Sequence, residues 1–424
     1  MFWLGLVYRG QARDQQAQLL YDKVIEGMCR HGGEKDQIAF SALYELAQIG
    51  IEQYHSGAYE KAVATLTSVE KFRNMLGDEP QMSEIAFLAM ALHQLGRDRE
   101  AQVTFDRLVG LIESPKRALA DFILAVPTNL GSTINSANES FPCLSADGLS
   151  LYFGSNRQGV LGEHDLYVTT RKTKTDPWGP PVNLGPKVNS SYSEWSPRIT
   201  TDDLSLFFTS NRPGGYGAWD AWVVTRKTID DAWGEPVNLG PNVNSSVDDA
   251  PSIISSDGLS LYVVSYDRPG GYGAFDAWVT TRATTDADWG ESVNLGPPVN
   301  TSASEFCTGL SADELSLFFS AGFFGPARPG GAGSGDIWVS TRSTKDGPWS
   351  EPANLGPTIN SWSGEVQPCI SADGSTLYFT SGRPGGFGNA DLWQVSLVPI
   401  VDTNGNGKVA LDDLCTLAEH WIDK

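Results

Sequence analysis

The triplet Asn-Leu-Gly occurs five times, beginning at Asn129, Asn183, Asn238, Asn294 and Asn354, and marks a unit of about 55 residues. A period of that length, sustained over most of the chain, means a propeller or an array. Each unit opens with an acid, Glu139, Glu194, Asp248, Glu305 or Glu365, followed three positions on by Pro142, Pro197, Pro251, Thr308 or Pro368. A turn carrying Asp147, Asp202, Asp257, Asp313 or Asp373 then leads into an alternating run such as 149–153. Period-two alternation bounded by turn residues predicts strand. Next come a glycine-rich loop with Arg157, Arg212, Arg268, Arg328 or Arg383 and a second run in which Asp165, Asp220, Asp276, Asp336 or Asp391 stands two residues before Tyr167, Trp222, Trp278, Trp338 or Trp393.

Four short strands per unit make a propeller blade. The first Asn-Leu-Gly precedes the first Asp-Gly turn, whereas the fifth unit ends near Val398 without one. The strand count balances only if the strand at about 124–131 completes the blade of 361–398, with Leu124 in the place of Trp178, Trp233, Trp289 and Trp349. The expectation is a mainly β, five-bladed propeller over 116–398 whose N-terminal strand closes the last blade.

The Glu-x-x-Pro, Ser-x-Asp-Gly, Arg-Pro-Gly-Gly-x-Gly and Asp-x-Trp series resembles the WD40-like repeats of bacterial TolB-like propellers. It departs from a uniform repeat where Asp203 and Glu314 replace the turn glycine, where Thr308 replaces the proline, and in a longer fourth loop around Phe323.

Residues 1–115 have another texture, with apolar spacings of three and four and little proline, which predicts helix. Small-residue turns lead into helices at Gly57 to Ala62 and Gly96 to Ala101, a pattern that resembles tetratricopeptide repeats. The opening apolar stretch is too short to span a bilayer and lacks the flanks of a signal peptide, so it reads as a buried first helix.

Residues 399–424 place Asp402, Asn404, Asn406, Lys408 and Asp413 at positions 1, 3, 5, 7 and 12 of an EF-hand-type loop, with Gly407 at position 6. These are the candidate calcium ligands, and with only two carboxylates the loop is expected to bind Ca2+ weakly, at roughly 10⁻⁴–10⁻³ M. The loop and the helix expected over 414–421 resemble one half of a dockerin, which implies docking onto a cohesin, although dockerins have two halves.

The formal charge of −21 is spread along the chain, without a basic stripe, which argues against nucleic acid as a partner. Cys29, Cys143, Cys307, Cys369 and Cys415 lack the paired spacing of a zinc site and are expected as free, mostly buried thiols. The five histidines are scattered, and no nucleophile elbow, zinc-protease motif or phosphate loop occurs.

Each blade repeats one acid and one arginine. Catalytic carboxylates need unlike environments, so equivalence favours a structural ion pair that holds each glycine-rich loop. What varies is the neighbourhood of the acid: Tyr192, Trp195, Phe306 and Trp362 stand beside or near Glu194, Glu305 and Glu365. With the five acids they form the candidate binding set at the channel mouth, because aromatic faces with carboxylates suit sugars or peptides. The expectation is a non-catalytic protein- or glycan-binding scaffold, extracytoplasmic in a bacterial envelope or secreted. The alternatives are a carbohydrate-active hydrolase on the propeller and a cytoplasmic regulatory sensor.

Overall fold

The computed structural model describes residues 127–397 apart from 324, 332 and 357, together with 56–76, 82–112 and scattered positions of 46–54. Two units are described separately. In the first, α1 (Tyr59–Leu76), α2 (Met82–Gln94) and α3 (Asp98–Ile112) bury Leu66, Phe87, Met90 and Phe105. Gly57 and Gly96 take left-handed conformations at the turns before α1 and α3, and Ala62 and Ala101 are fully buried. A side chain longer than a methyl at either alanine would hold neighbouring helices apart. Of the helical array expected over 1–115, the described residues contain these three helices and helical positions within 46–54. The calcium-loop tail, with Asp402, Asn404, Asn406, Lys408 and Asp413, lies outside them. No helix of the described residues is long and apolar enough to cross a membrane.

In the second unit, β1 (Thr128–Asn129) comes first. The first blade is β2 (Glu139–Leu144), β3 (Ser150–Ser155), β4 (Asp165–Thr170) and β5 (Val182–Asn183). The second is β6 (Glu194–Ile199), β7 (Ser205–Ser210), β8 (Asp220–Thr225) and β9 (Val237–Asn238). The third is β10 (Asp249–Ile254), β11 (Ser260–Tyr266), β12 (Phe275–Thr281) and β13 (Val293–Asn294). The fourth is β14 (Glu305–Leu310), β15 (Ser316–Ala321), β16 (Asp336–Thr341) and β17 (Ala353–Asn354). The fifth joins β18 (Glu365–Ile370), β19 (Thr376–Ser381) and β20 (Asp391–Ser396) to β1.

The expected closure is therefore present: Thr128 pairs with Gln394 and Asn129 with Trp393. Two asparagines tie it. Asn129 Nδ2 donates to Asp391, and its Oδ1 accepts from Gly131 N–H and Asn135 Nδ2. Asn135 then pairs with both backbone groups of Leu392, at 3.0 and 2.8 Å. Asn189, Asn244 and Asn300 do the same for Leu166, Ala221 and Ala277 in the first three blades. Residue 124, expected in place of a blade-closing tryptophan, lies outside the described residues.

The second strand of each blade lies between neighbouring blades, so both of its faces are covered and it reads as a continuous apolar run. Leu151, Tyr152 and Phe153 of β3 and their counterparts in β7, β11, β15 and β19 are all buried. Tyr152, Tyr262 and Tyr378 interact with Arg226, Arg342 and Arg171 of the following blade, so these links run from blade to blade around the ring. Burial pushes the hydroxyls of Tyr152 and Tyr262 up to about 12. The turn is kept where glycine is missing, since Asp203 and Glu314 take positive φ values of 59° and 61°.

One glycine in the loop of the second, third and fifth blades has a steric role. A Cβ on Gly217 would lie on the carbonyl of Val247, and one on Gly273 or Gly388 would meet the Ala303 or Ala137 carbonyl of the adjoining blade in the same way. Gly217→Ala is expected to destabilise the propeller by about 1–3 kcal/mol through overpacking, read as a lower urea midpoint.

Candidate functional site

Four of the five expected acids are not open to a ligand. Glu139, Glu194, Glu305 and Glu365 are fully buried at the starts of the innermost strands. Each meets the loop arginine of its own blade: Arg157 at 3.1 Å, Arg212 at 2.9 Å, Arg328 at 3.5 Å and Arg383 at 2.9 Å. Glu194 also accepts from the N–H and hydroxyl of Ser190 and from Ser210, while Arg212 donates to Val188 O and lies over Phe208 and Trp222. The recurring pair therefore fastens loop to strand, as equivalence between blades implies. Burial raises the carboxyls of Glu139 and Glu305 above their ordinary value, against the opposing pull of hydrogen bonds and of Arg157 and Arg328. The loop aspartates fix backbone: Asp220 accepts from Tyr216 N–H at 2.8 Å and Gly217 N–H at 3.2 Å.

In the third blade the member of this series is Asp249, not Asp248. Asp249 pairs with Ser265 as Glu194 pairs with Ser210, and it takes Arg268 at 3.3 Å. Counting back from Pro251 misplaces the acid because the proline itself is shifted by one. Counting back eight from the turn aspartate finds Asp249 from Asp257, as it finds Glu194 from Asp202. Asp248 is thereby released. It is half-buried and forms no ion pair with any described residue. Burial raises its carboxyl above the ordinary aspartate value, the Trp219 N–H opposes this, and the charge of Asp249 adds to it.

The shifted proline reflects a break in five-fold symmetry. In the first, second and fifth blades a bulge after the acid leaves two residues out of the pairing, and the first of them is left-handed: Phe141 at φ 55°, Ser196 at 53° and Gln367 at 58°. In the third and fourth blades the pairing skips one residue, without a left-handed one. A non-glycine residue at positive φ costs on the order of 1–3 kcal/mol and persists where its surroundings over-determine it. Here they do so through bonds to neighbouring blades. Phe141 N–H donates to Gln367 Oε1 at 2.9 Å, Thr380 donates to the same oxygen, and Ser196 Oγ donates to Pro251 O at 2.7 Å.

All three left-handed residues face one cavity of about 440 Å³ at the end of the channel where the innermost strands begin. Its walls carry Phe141, Trp195, Trp219, Phe275, Phe306 and Phe323, and its polar residues include Asp248 and Gln367 beside the ion-paired Asp249. The rings support one another: Phe141 meets Trp195 edge-on at 5.9 Å, and Phe275 lies 4.6 Å from Phe306. His164 stacks on Trp195 at 3.9 Å, and burial lowers its pKa, so the imidazole is neutral at pH 7. With Gln367 Oε1 engaged by Phe141 and Thr380, its amide N–H2 is the group left for a ligand.

Of the expected binding set, the structure thus brings Trp195, Phe306 and Asp248 together. Tyr192 is exposed and away from the cavity wall, and Trp362 is half-buried in the segment before Glu365. Phe141, Trp219, Phe275 and Gln367 are added. Phe141 and Gln367 carry a signal in the sequence, since each directly precedes its blade's proline. Cys143, Cys307 and Cys369 are buried free thiols. Among the described residues no group of three or more His, Cys, Asp or Glu could hold a metal ion.

Neither a family model nor a curated protein matches the chain. Solved structures are similar to its propeller. An α-L-arabinofuranosidase from Podospora anserina is 13% identical over 65% of this chain and 94% of that one, with a TM-score of 0.41. A thermostable family-43 glycoside hydrolase is 12% identical over 65% and 96%, at 0.43. A putative TolB from Agrobacterium tumefaciens is 15% identical over 65% and 91%, at 0.36. At these identities the likeness is one of fold. The expectation of a non-catalytic scaffold rested on architecture, and it is corrected here: the propellers that resemble this one are for the most part glycoside hydrolases, so the architecture does not single out a scaffold.

Proposed function

We propose that the aromatic cavity at the channel mouth is a saccharide site and that the protein is a carbohydrate-active hydrolase with Asp248 as its acid. The observation that carries this reading is Asp248 itself: a carboxyl without an arginine, raised by burial, on the wall of a cavity lined with aromatic rings. Such a carboxyl holds its proton to higher pH than an exposed aspartate and can deliver it to a departing glycosidic oxygen, while a water adds to the anomeric carbon and releases its own proton to solvent. Trp195, Phe306 and Phe141 offer flat faces for sugar rings, and the Gln367 amide can orient a hydroxyl. The strained bulge residues fit a wall built for a ligand, because bulges re-aim side chains and strain gathers at functional sites.

Under the same reading the tetratricopeptide-like helices and the half-dockerin with its calcium loop serve to hold the enzyme near its substrate, outside the cytoplasm. The test is hydrolysis of a panel of arabinofuranosides, xylosides and β-1,3-galactans by the full chain, with Trp195→Ala beside it. Turnover on at least one substrate, with KM raised about tenfold or more by Trp195→Ala, is expected. No turnover, and no change in tryptophan fluorescence with any of them, would sink the reading.

Asp248→Asn separates the acid's role from folding. A carboxyl whose folded pKa is raised contributes stability that is fully present below its unfolded pKa and lost as pH rises through the folded value. Asparagine has no charge to desolvate, so Asp248→Asn is expected to melt at or above the wild-type temperature at pH 7 while turnover is lost.

A further inference from the structure

The other end of the channel holds a group the saccharide reading does not use. Cys143, Arg198, Ile253, Gly309 and Cys369 pair with Tyr152, Phe207, Tyr262, Phe318 and Tyr378, so the five stand at one level of the innermost strands. All five line a second cavity of about 130 Å³. Arg198 is 3% exposed. Its Nη1 donates to Pro142 O at 3.2 Å and Pro197 O at 2.9 Å, whereas Nε and Nη2 are buried and have no protein partner. Among the described residues no carboxylate pairs with it and no aromatic ring lies beneath it.

A buried guanidinium without a counter-charge is costly. The nearby thiols do not supply one. Burial pushes the Cys369 thiol up to about 12, and the Cys143 sulfur already accepts the Ile199 N–H at 3.5 Å. The unpartnered atoms define the ligand: Nε–H and Nη2–H lie side by side along one edge of the guanidinium, the edge that takes both oxygens of a carboxylate. At ~30 Å³ for a water, the cavity has room for a carboxylate with one or two carbons.

We propose that this tier of the channel binds a small carboxylate anion, held in a bidentate pair by Arg198 and distinct from the saccharide site at the other end. The site tests through linkage, since a ligand that binds only the folded state raises its melting temperature in a saturable way. The full chain is melted in rising acetate or formate, with chloride replaced at constant ionic strength and phosphate as a separate arm. The wild type is expected to gain melting temperature up to a plateau in acetate and formate. Arg198→Met is expected to show no dependence. Cys143→Asp, which places a carboxylate on the same tier beside Arg198, is expected to melt higher than the wild type and to ignore added acetate. This second variant decides the matter if Arg198→Met fails to fold. A wild type indifferent to both carboxylates, a response to phosphate alone, or the same response in wild type and Cys143→Asp would overturn the proposal.

Discussion

Replacing Arg212 with methionine is expected to cost the propeller about 3–5 kcal/mol, the usual result of removing one partner from a buried ion pair. The magnitude comes from what is left behind. Glu194 has no exposed surface, and without Arg212 it keeps only the bonds from Ser190 and Ser210. The guanidinium also bonds Val188 O and packs on Phe208 and Trp222, so loop, first strand and third strand lose a shared joint. The double variant Arg212→Met with Glu194→Gln removes the orphaned charge and is expected to recover a large part of the loss. Urea unfolding of the two variants and the wild type measures both numbers. An exposed pair behaves differently: Lys174 and Asp373 meet at 2.7 Å between the first and fifth blades, both well solvated, and Lys174→Ala is expected to cost less than about 1 kcal/mol.

The second large effect is at the closure. Asn135→Ala leaves the buried N–H of Leu392 without a partner, at about 1–3 kcal/mol, while its C=O keeps the Leu130 N–H. A total near 1–3 kcal/mol is expected after relaxation. Asn244 makes the same two bonds to Ala221, but there the joined strands are neighbours in sequence. At Asn135 they come from opposite ends of the ring, and pairing over β1 is limited to Thr128 and Asn129. Asn135→Ala should therefore cost more than Asn244→Ala, and amide exchange across 391–396 should quicken only in the former. Equal losses and equal exchange would mean that the ring does not depend on its N-terminal strand.

The ring and its closure were legible because a repeated unit states its own strand count, and the order of the first and last Asn-Leu-Gly segments leaves one way to balance it. The Glu–Arg pairing was legible for the same reason: five equivalent positions imply one shared duty. The cavity was not, because it lies where equivalence fails. Asp248 and Asp249 are adjacent acids, and a proline displaced by one pointed to the wrong member, whereas the spacing from the turn aspartate and the strand pairing both assign Asp249 to the buried series. Phe141, Ser196 and Gln367 precede prolines in the sequence like any bulge residue, and their left-handed backbone follows from bonds to other blades. Arg198 is likewise an ordinary arginine until pairing sets it level with Cys143 and Cys369. The calcium loop, legible as a spacing of ligands, falls outside the described residues.

The pH dependence of kcat/KM, measured for wild type and Asp248→Asn on whichever saccharide of the panel is turned over, most directly tests whether the channel mouth is a hydrolytic site. The expected profile falls on its alkaline side above the ordinary aspartate range, because the raised carboxyl must hold its proton to act. Asp248→Asn should lower the rate by about 10²–10⁴-fold, with the binding of substrate little changed. A variant that hydrolyses as fast as the wild type with the same profile would remove Asp248, and the cavity it lines, from the reaction.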